Sequence, residues 1–334
     1  MATKKNEKIE NNSQNKLMAQ NKEEDPQLME ILDDDDIVMD MWREVETETP
    51  EWKAPTIFAR TLWKPIMKAF WLIYRQERRN RTDNLAVYGN TDTGKTTCKK
   101  KMIASFRKKH NLSEHDILDI DCLTNMTVTG LYHQILDKLH WEFLPRDNIA
   151  DLERRVRNAI IDRGVKLLVI DEFSNVMNNF HKRDRDNVLK ALRNIPTLTK
   201  CPIIVFGTRK ILDLLQEDPE TNNRYEKIEF PRFELGKGKW KDFQQILATL
   251  DEAVEKDTKI ISTLSEDRRT LEKLFRKSRG KMGSLIKIYE RTVQIALEEG
   301  KDELNSKLID KAVRELNKSE RLDDAEIAEI EPKV

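Results

Sequence analysis

The chain has 334 residues, 36% of them charged, and its 60 Lys and Arg balance 60 Asp and Glu; this length allows one large domain or two ordinary ones. Its longest apolar run, AFWLIY at 69–74, falls far short of the roughly 20 residues a membrane span needs. Three isolated cysteines, Cys98, Cys122 and Cys201, suit neither a disulfide framework nor a zinc site.

The neutral total hides an uneven distribution. Residues 1–50 carry 14 acids and 6 bases, residues 319–334 carry 6 acids and 2 bases, and 51–318 therefore hold a surplus of +12. A basic body between acidic ends suits a polyanionic partner; a highly charged solvated surface is the plainer alternative. The start, ATKKNEKIENNSQ, has no apolar leader, so a cytoplasmic location is expected.

Residues 1–50 are polar and cannot bury enough apolar surface to order alone. Within them LMEILDDDDIVMDMW (28–42) has enough apolar residues to form a short helix on a partner. From Trp52 the texture changes, and FARTLWKPIMKAFWLIYRQERR reads as a mostly helical stretch kinked at Pro65. Strands are expected at 84–89, 116–122, 165–171, 201–208 and 226–230. Helices fit between them at 95–109, 128–140, 148–163, 184–194 and 209–217. This alternation predicts an α/β domain with a five-stranded parallel sheet. Four further helices, at 240–255, 265–278, 282–299 and 303–317, make a small helical lid domain. The expected divisions are thus 1–50, 51–235, 236–318 and an acidic tail at 319–334.

Two motifs carry chemistry. Gly89-Asn90-Thr91-Asp92-Thr93-Gly94-Lys95-Thr96 satisfies G-x-x-x-x-G-K-[ST] after an apolar strand and at the start of a helix that continues with Thr97. Backbone N–H groups there face phosphate oxygens, Lys95 neutralises the β- and γ-phosphates, and the Thr96 hydroxyl ligates Mg²⁺. Asp92 is unusual beside phosphates and is expected to point outward. VKLLVIDEF then delivers Asp171 and Glu172 at the carboxyl end of a strand, where open α/β sheets bind ligands. Asp171 suits the Mg²⁺ shell, and Glu172 suits activation of an attacking water, so ATP hydrolysis is favoured over kinase chemistry. Thr208 ends the fourth strand, where it can meet the γ-phosphate or cap the next helix. Arg224 precedes the last strand, as either a surface ion pair or a donor to a neighbouring subunit's γ-phosphate.

GNTDTGKT, LLVIDEFSNV, IIVFGTRK, NNRYEKIEF and SRGKMGSLIKIYERTVQIALEEG together resemble the AAA+ ATPases that regulate bacterial DNA transposition, TniB and TnsC, from about Trp52 to Asn317. The resemblance implies ATP and Mg²⁺ as cofactors and sequence-independent assembly on double-stranded DNA, as a hexameric or heptameric ring or a helical filament. Its implied partners are a transposase, a TniQ/TnsD-like target selector and, in CRISPR-associated transposons, a CRISPR effector. It makes Thr208 the γ-phosphate sensor and Arg224 the trans-acting finger, and it places Gly283, Ser284 and Leu285 near the nucleotide. The chain departs from the wider pattern in reading Lys281-Met282-Gly283-Ser284 where a lid arginine is common, which implies slow hydrolysis. By the same resemblance DNA contacts fall on LTNMTVT (123–129) and FLPRDN (143–148), through Thr124, Asn125, Thr127, Arg146 and Asn148. Lys182 and Arg183 of HKRDRD are a weaker candidate. The alternative readings are a replication-initiator or clamp-loader ATPase, and a nucleotide-switched signalling or defence ATPase that ignores DNA.

Overall fold

The computed structural model describes residues 52–57, 59–75, 83–144, 146–179, 181–234 and 240–319. The acidic extension at 1–50, the tail beyond Ser319 and the stretch 235–239 at the expected domain boundary lie outside the described residues. The described residues form two compact units. One holds Trp63–Thr91 and Lys95–Phe230; the other holds the residues before Trp63, the loop tip Asp92–Gly94 and everything from Pro231 onward.

Helix α1 (Arg60–Tyr74), which belongs to the first unit from Trp63 on, leads into β1 (Asn84–Tyr88), α2 (Lys95–His110), β2 (Ile117–Asp121), α3 (Val128–Lys138), α4 (Ile149–Asp162) and β3 (Leu167–Asp171). A 3-10 helix (Phe173–Asn178) follows, then α5 (Lys182–Thr199), β4 (Ile203–Gly207), α6 (Lys210–Gln216), the single-turn α7 (Pro219–Asn222) and β5 (Tyr225–Glu229). The five strands make one parallel sheet in the order β2-β3-β4-β1-β5. Strands β1, β3 and β4 are buried at every residue. A strand covered on both faces has no solvent side, so NLAVY, LLVID and IIVFG do not alternate apolar with polar. The edge strands β2 and β5 are partly exposed and carry charges.

Helices α3 to α6 bury Ile135, Val156, Leu192 and Leu215 in one core with Leu118, Ile170 and Val205 of the sheet. A second cluster joins α1 to α2, with the Phe106 ring 4.8 Å from Phe70, 5.6 Å from Trp71 and 5.5 Å from Tyr74. Helix α5 runs through Pro196 to Thr199, beyond the expected end at 194. Proline has no N–H for the Leu192 carbonyl one turn back; the buried Tyr225 hydroxyl donates to that carbonyl instead, at 3.5 Å. All three cysteines are free and buried. Burial raises the Cys98 thiol well above its usual value and pushes Cys122 and Cys201 up to about 12.

The second unit is built on α8 (Trp240–Thr258), α9 (Arg268–Ser278), α10 (Met282–Glu298) and α11 (Ser306–Ser319). Asp251 of α8 is buried at its centre and accepts from the Ser262 hydroxyl at 2.5 Å, the Tyr289 hydroxyl at 2.5 Å and the Ser265 N–H at 2.8 Å. A buried carboxylate is tolerable only when its oxygens are paired in this way. The segment before α1 joins the same unit: the Trp52 indole N–H donates to Asp257 at 3.1 Å, and the Ala54 N–H to Glu290 at 2.9 Å.

Candidate functional site

Because β1, β3 and β4 are parallel, their carboxyl ends share one edge of the sheet. Strand β4 lies between β1 and β3, so Thr208 stands between the loop after β1 and the acids that end β3. The loop after β1 is fastened at its root, where the Gly89 N–H donates to the Gly207 carbonyl at 3.1 Å. It turns into α2 through Gly94 at φ 94°, in the left-handed region that favours glycine. The first N–H groups of α2 have no partners within the helix, and the first turn carries no acid. That end of the helix is a natural seat for an anion. Lys95 is buried, and its ammonium donates to the Gly89 carbonyl at 3.1 Å and the Asn90 carbonyl at 2.5 Å. Thr91 and Thr96 are exposed, Asn90 and Thr97 half-buried and Thr93 buried.

The acids meet this loop. The Thr96 hydroxyl donates to Asp171 Oδ2 at 2.9 Å, and the Glu172 N–H donates to Asp171 Oδ1 at 2.8 Å. Glu172 itself is exposed, with φ 51° and ψ 30°. That left-handed conformation costs a residue with a side chain on the order of 1–2 kcal/mol. It turns the chain abruptly at the edge of the sheet. The Thr208 hydroxyl is buried without a hydrogen-bond partner among the described residues, and α6 begins without a side-chain cap. The structure therefore leaves this hydroxyl free of capping. Hard oxygen donors from Thr96 and Asp171 suit Mg²⁺, and an orphaned hydroxyl beside a helix N-terminus suits a phosphate oxygen.

One participant escaped the motifs. Lys99, one turn beyond Lys95, is fully buried, with its ammonium 2.7 Å from Asp119, 3.1 Å from Asp121 and 3.2 Å from Asp171. Burial lowers its pKa, but the three carboxylates outweigh burial and the net shift is upward. The one hint was DILDID, where Asp119 and Asp121 share a face of an otherwise apolar strand and offer two carboxylates to a cation packed against it.

Within the second unit, the Asp92 carbonyl accepts from the Gly283 N–H at 2.6 Å. A Cβ at Gly283 would lie 2.9 Å from that oxygen, so the approach requires glycine. The Asp92 carboxylate pairs with Lys287 at 3.1 Å, which accounts for an acid in a phosphate-type loop. Ser284 is half-buried, while Leu285 is fully buried in the core of this unit.

Arg224 stands apart from the other first-unit candidates, at the beginning of β5, and donates to the Thr197 hydroxyl at 2.6 Å. Thr124, Asn125 and Arg146 are exposed, as are Lys182 and Arg183 in the first turn of α5. Thr127 and Asn148 have a second duty. Thr127 caps α3 by accepting from the Gly130 N–H, and Asn148 caps α4 by accepting from Ala150 and Asp151.

The strand order, the phosphate-type loop after β1 and the paired acids at the end of β3 define the AAA+ P-loop fold. Solved structures agree on the fold. The chain is similar to the ORC2 protein of Aeropyrum pernix in its ADPNP–ADP complexes, at 14% identity and a TM-score of 0.57, covering 80% of this chain and 70% of that one. It is similar to the Aeropyrum pernix ORC1 protein in complex with DNA, at 12% identity and a TM-score of 0.57, covering 86% and 69%. Drosophila ORC bound to DNA matches at 15% identity and a TM-score of 0.56, covering 83% and 70%. No curated protein sequence matches. Residues 53–235 match the family model described as Bacterial TniB protein. The chain belongs to the TniB family.

Proposed function

We propose that this chain is an ATP-dependent, DNA-binding regulator of transposition. It oligomerises on duplex DNA without sequence preference, as a hexameric or heptameric ring or a filament, marks the target site and recruits the transposase. A TniQ/TnsD-like selector and, in CRISPR-associated systems, the CRISPR effector are its further partners. Membership of the TniB family carries this reading. The +12 balance of residues 51–318 supports a polyanionic partner, and proteins of the same fold have been solved on DNA.

In this reading the loop from Gly89 to Thr97 holds the phosphates of ATP with Lys95 as countercharge, and Thr96 and Asp171 hold Mg²⁺. The bound ion would neutralise charge on the β- and γ-phosphates. Glu172 orients and deprotonates the attacking water, and Thr208 meets the γ-phosphate. Gly283, and Ser284 beside it, follow the Asp92 turn from the helical unit, which acts as a lid. Arg224 completes a neighbouring subunit's site. Thr124, Asn125 and Arg146 track the DNA backbone, with Thr127 and Asn148 shaping that surface through their caps and Lys182 and Arg183 adding positive charge.

The test is a gel shift of plain duplex DNA with ATP, ADP or no nucleotide, followed by addition of the cognate transposase. ATP-dependent binding to unrelated duplexes and capture of the transposase are expected. Binding without transposase capture points to an initiator-type ATPase, and no ATP-dependent shift overturns the DNA reading.

A further inference from the structure

Helix α2 buries two lysines one turn apart, Lys95 and Lys99, and only the first belongs to the phosphate-type loop. The acids around Lys99 sit in two different places. Asp171 ends β3, and its Oδ2 is shared between the Thr96 hydroxyl and the Lys99 ammonium. Asp121 ends β2, and the next residue opens the loop Cys122–Thr127, which displays Thr124 and Asn125. Lys99 therefore joins a metal-binding candidate to the root of a DNA-binding candidate.

The same loop is tied to β3 a second way. The Cys122 N–H donates to the Asp171 carbonyl at 2.9 Å. Asn175 donates to the Cys122 carbonyl at 2.9 Å, and Asn179 to the Met126 carbonyl at 2.7 Å. Asn175 lies in the 3-10 helix that begins directly after Glu172, and Asn179 caps its far end. Both ends of the loop are thus held by the segment that carries the two acids.

We propose that Lys99 is a positioning residue that couples the Asp171 carboxylate to the Cys122–Thr127 loop, so that ATP and Mg²⁺ at the phosphate-type loop reset the surface that meets DNA. This rests on the nucleotide and DNA reading above. A ligand shifts a conformational equilibrium only by interacting differently with its two states. Here the shared group is the Asp171 carboxylate, whose Oδ2 meets both the Thr96 hydroxyl and the Lys99 ammonium. Thr96 and Asp171 would hold a dication, which would draw on the charge that now pairs with Lys99 and leave Lys99 to Asp119 and Asp121, the latter joined to the loop.

The test uses the full chain and the variants Asp121→Asn, Lys99→Met and Lys99→Arg, with hydrogen exchange of the 122–127 amides read before and after adding ATP and Mg²⁺. The Asp121 side chain is 76% exposed, so its substitution leaves packing intact. In the wild type the loop amides should change their exchange rate about fivefold or more, a typical scale for coupling between sites. In Asp121→Asn the response should fall below about twofold, with affinity for a fluorescent ATP analogue and the melting temperature unchanged. Lys99→Met should lose the response, and Lys99→Arg should recover most of it. If Lys99→Met does not fold, Asp121→Asn decides alone. The ATP-dependent gain in duplex affinity should fall in parallel. A full exchange response in Asp121→Asn, with ATP-dependent DNA binding intact, overturns the coupling and leaves the functional reading standing. A wild-type chain that binds ATP without any change at 122–127 overturns it as well. If the chain binds ATP but no DNA, the DNA reading fails while the exchange result still decides the coupling.

Discussion

Asn84 and Arg224 stand side by side at the starting edge of the sheet, where the Asn84 N–H donates to the Arg224 carbonyl at 3.0 Å. The phosphate-type loop leaves the opposite end of β1, about 13 Å away along the strand. The guanidinium, resting on Thr197, thus lies at the far end of the sheet from its own subunit's phosphate-type loop, and the proposed role in a neighbour's site can be tested directly. Arg224→Ala should leave ATP affinity of the monomer unchanged and lower turnover by ~10³-fold or more, the usual scale for an arginine finger. Mixing Arg224→Ala with Lys95→Ala should restore part of the activity, measured as phosphate release. No recovery in the mixture would count against a shared site.

The two halves of the nucleotide site should fail differently. Lys95→Ala removes the buried ammonium from the loop and should abolish both ATP binding and ATP-driven assembly on DNA. Glu172→Gln keeps the Asp171 contacts, since Glu172 meets Asp171 through its backbone N–H. It should bind ATP and DNA normally, hydrolyse at most ~1% of the wild-type rate, as expected for loss of a general base, and form long-lived assemblies. Light scattering and phosphate release measured together distinguish the two. Wild-type assembly by both variants would remove nucleotide as the gate.

The caps sharpen the DNA test. Thr127 and Asn148 hold helix ends, so replacing them mixes stability loss of ~1 kcal/mol each with any change in binding. Thr124, Asn125 and Arg146 are exposed and free of that duty. Changing all three to alanine should weaken binding to every duplex alike and lower the salt dependence of affinity, leaving ATP binding unchanged. Retained affinity, or a preference of the isolated protein for one sequence, would sink this placement.

Stability of the helical unit should depend on one hydroxyl. Tyr289→Phe deletes a donor to Asp251 and a partner of Ser262, which lies 2.9 Å away. The carboxylate keeps Ser262 and the Ser265 N–H, so the expected loss is about 1–3 kcal/mol, the range for an under-satisfied buried group. Urea unfolding followed by tryptophan fluorescence would measure it through Trp52, whose ring lies 6.0 Å from Tyr289. An unchanged midpoint would show that the network adds nothing.

The strands were legible because burial on both faces leaves unbroken apolar runs; LLVID and IIVFG needed no partner to be recognised. The phosphate-type loop was legible because its chemistry is local. What escaped depended on distance. KTTCKKK offers four lysines, and only the sheet decides that Lys99 is inside while Lys100 is exposed. Asp92 meets its partner Lys287 across 195 positions of chain, a pairing that no window of sequence contains. Helix α5 runs past its expected end because Pro196 is a stop signal unless something supplies its missing bond, and Tyr225 reaches the helix from β5. The 3-10 helix after Glu172 is too short to carry a periodicity.

The burial of Cys98, Cys122 and Cys201, with their thiols held protonated at neutral pH, has a practical side. The native chain should be nearly silent toward maleimide dyes, with three sites appearing only on denaturation. A single cysteine placed at Leu123, whose side chain is exposed near the start of the loop after β2, could then carry a fluorophore without first stripping the native thiols. Its colour or anisotropy would report directly on that loop as nucleotide and DNA are added.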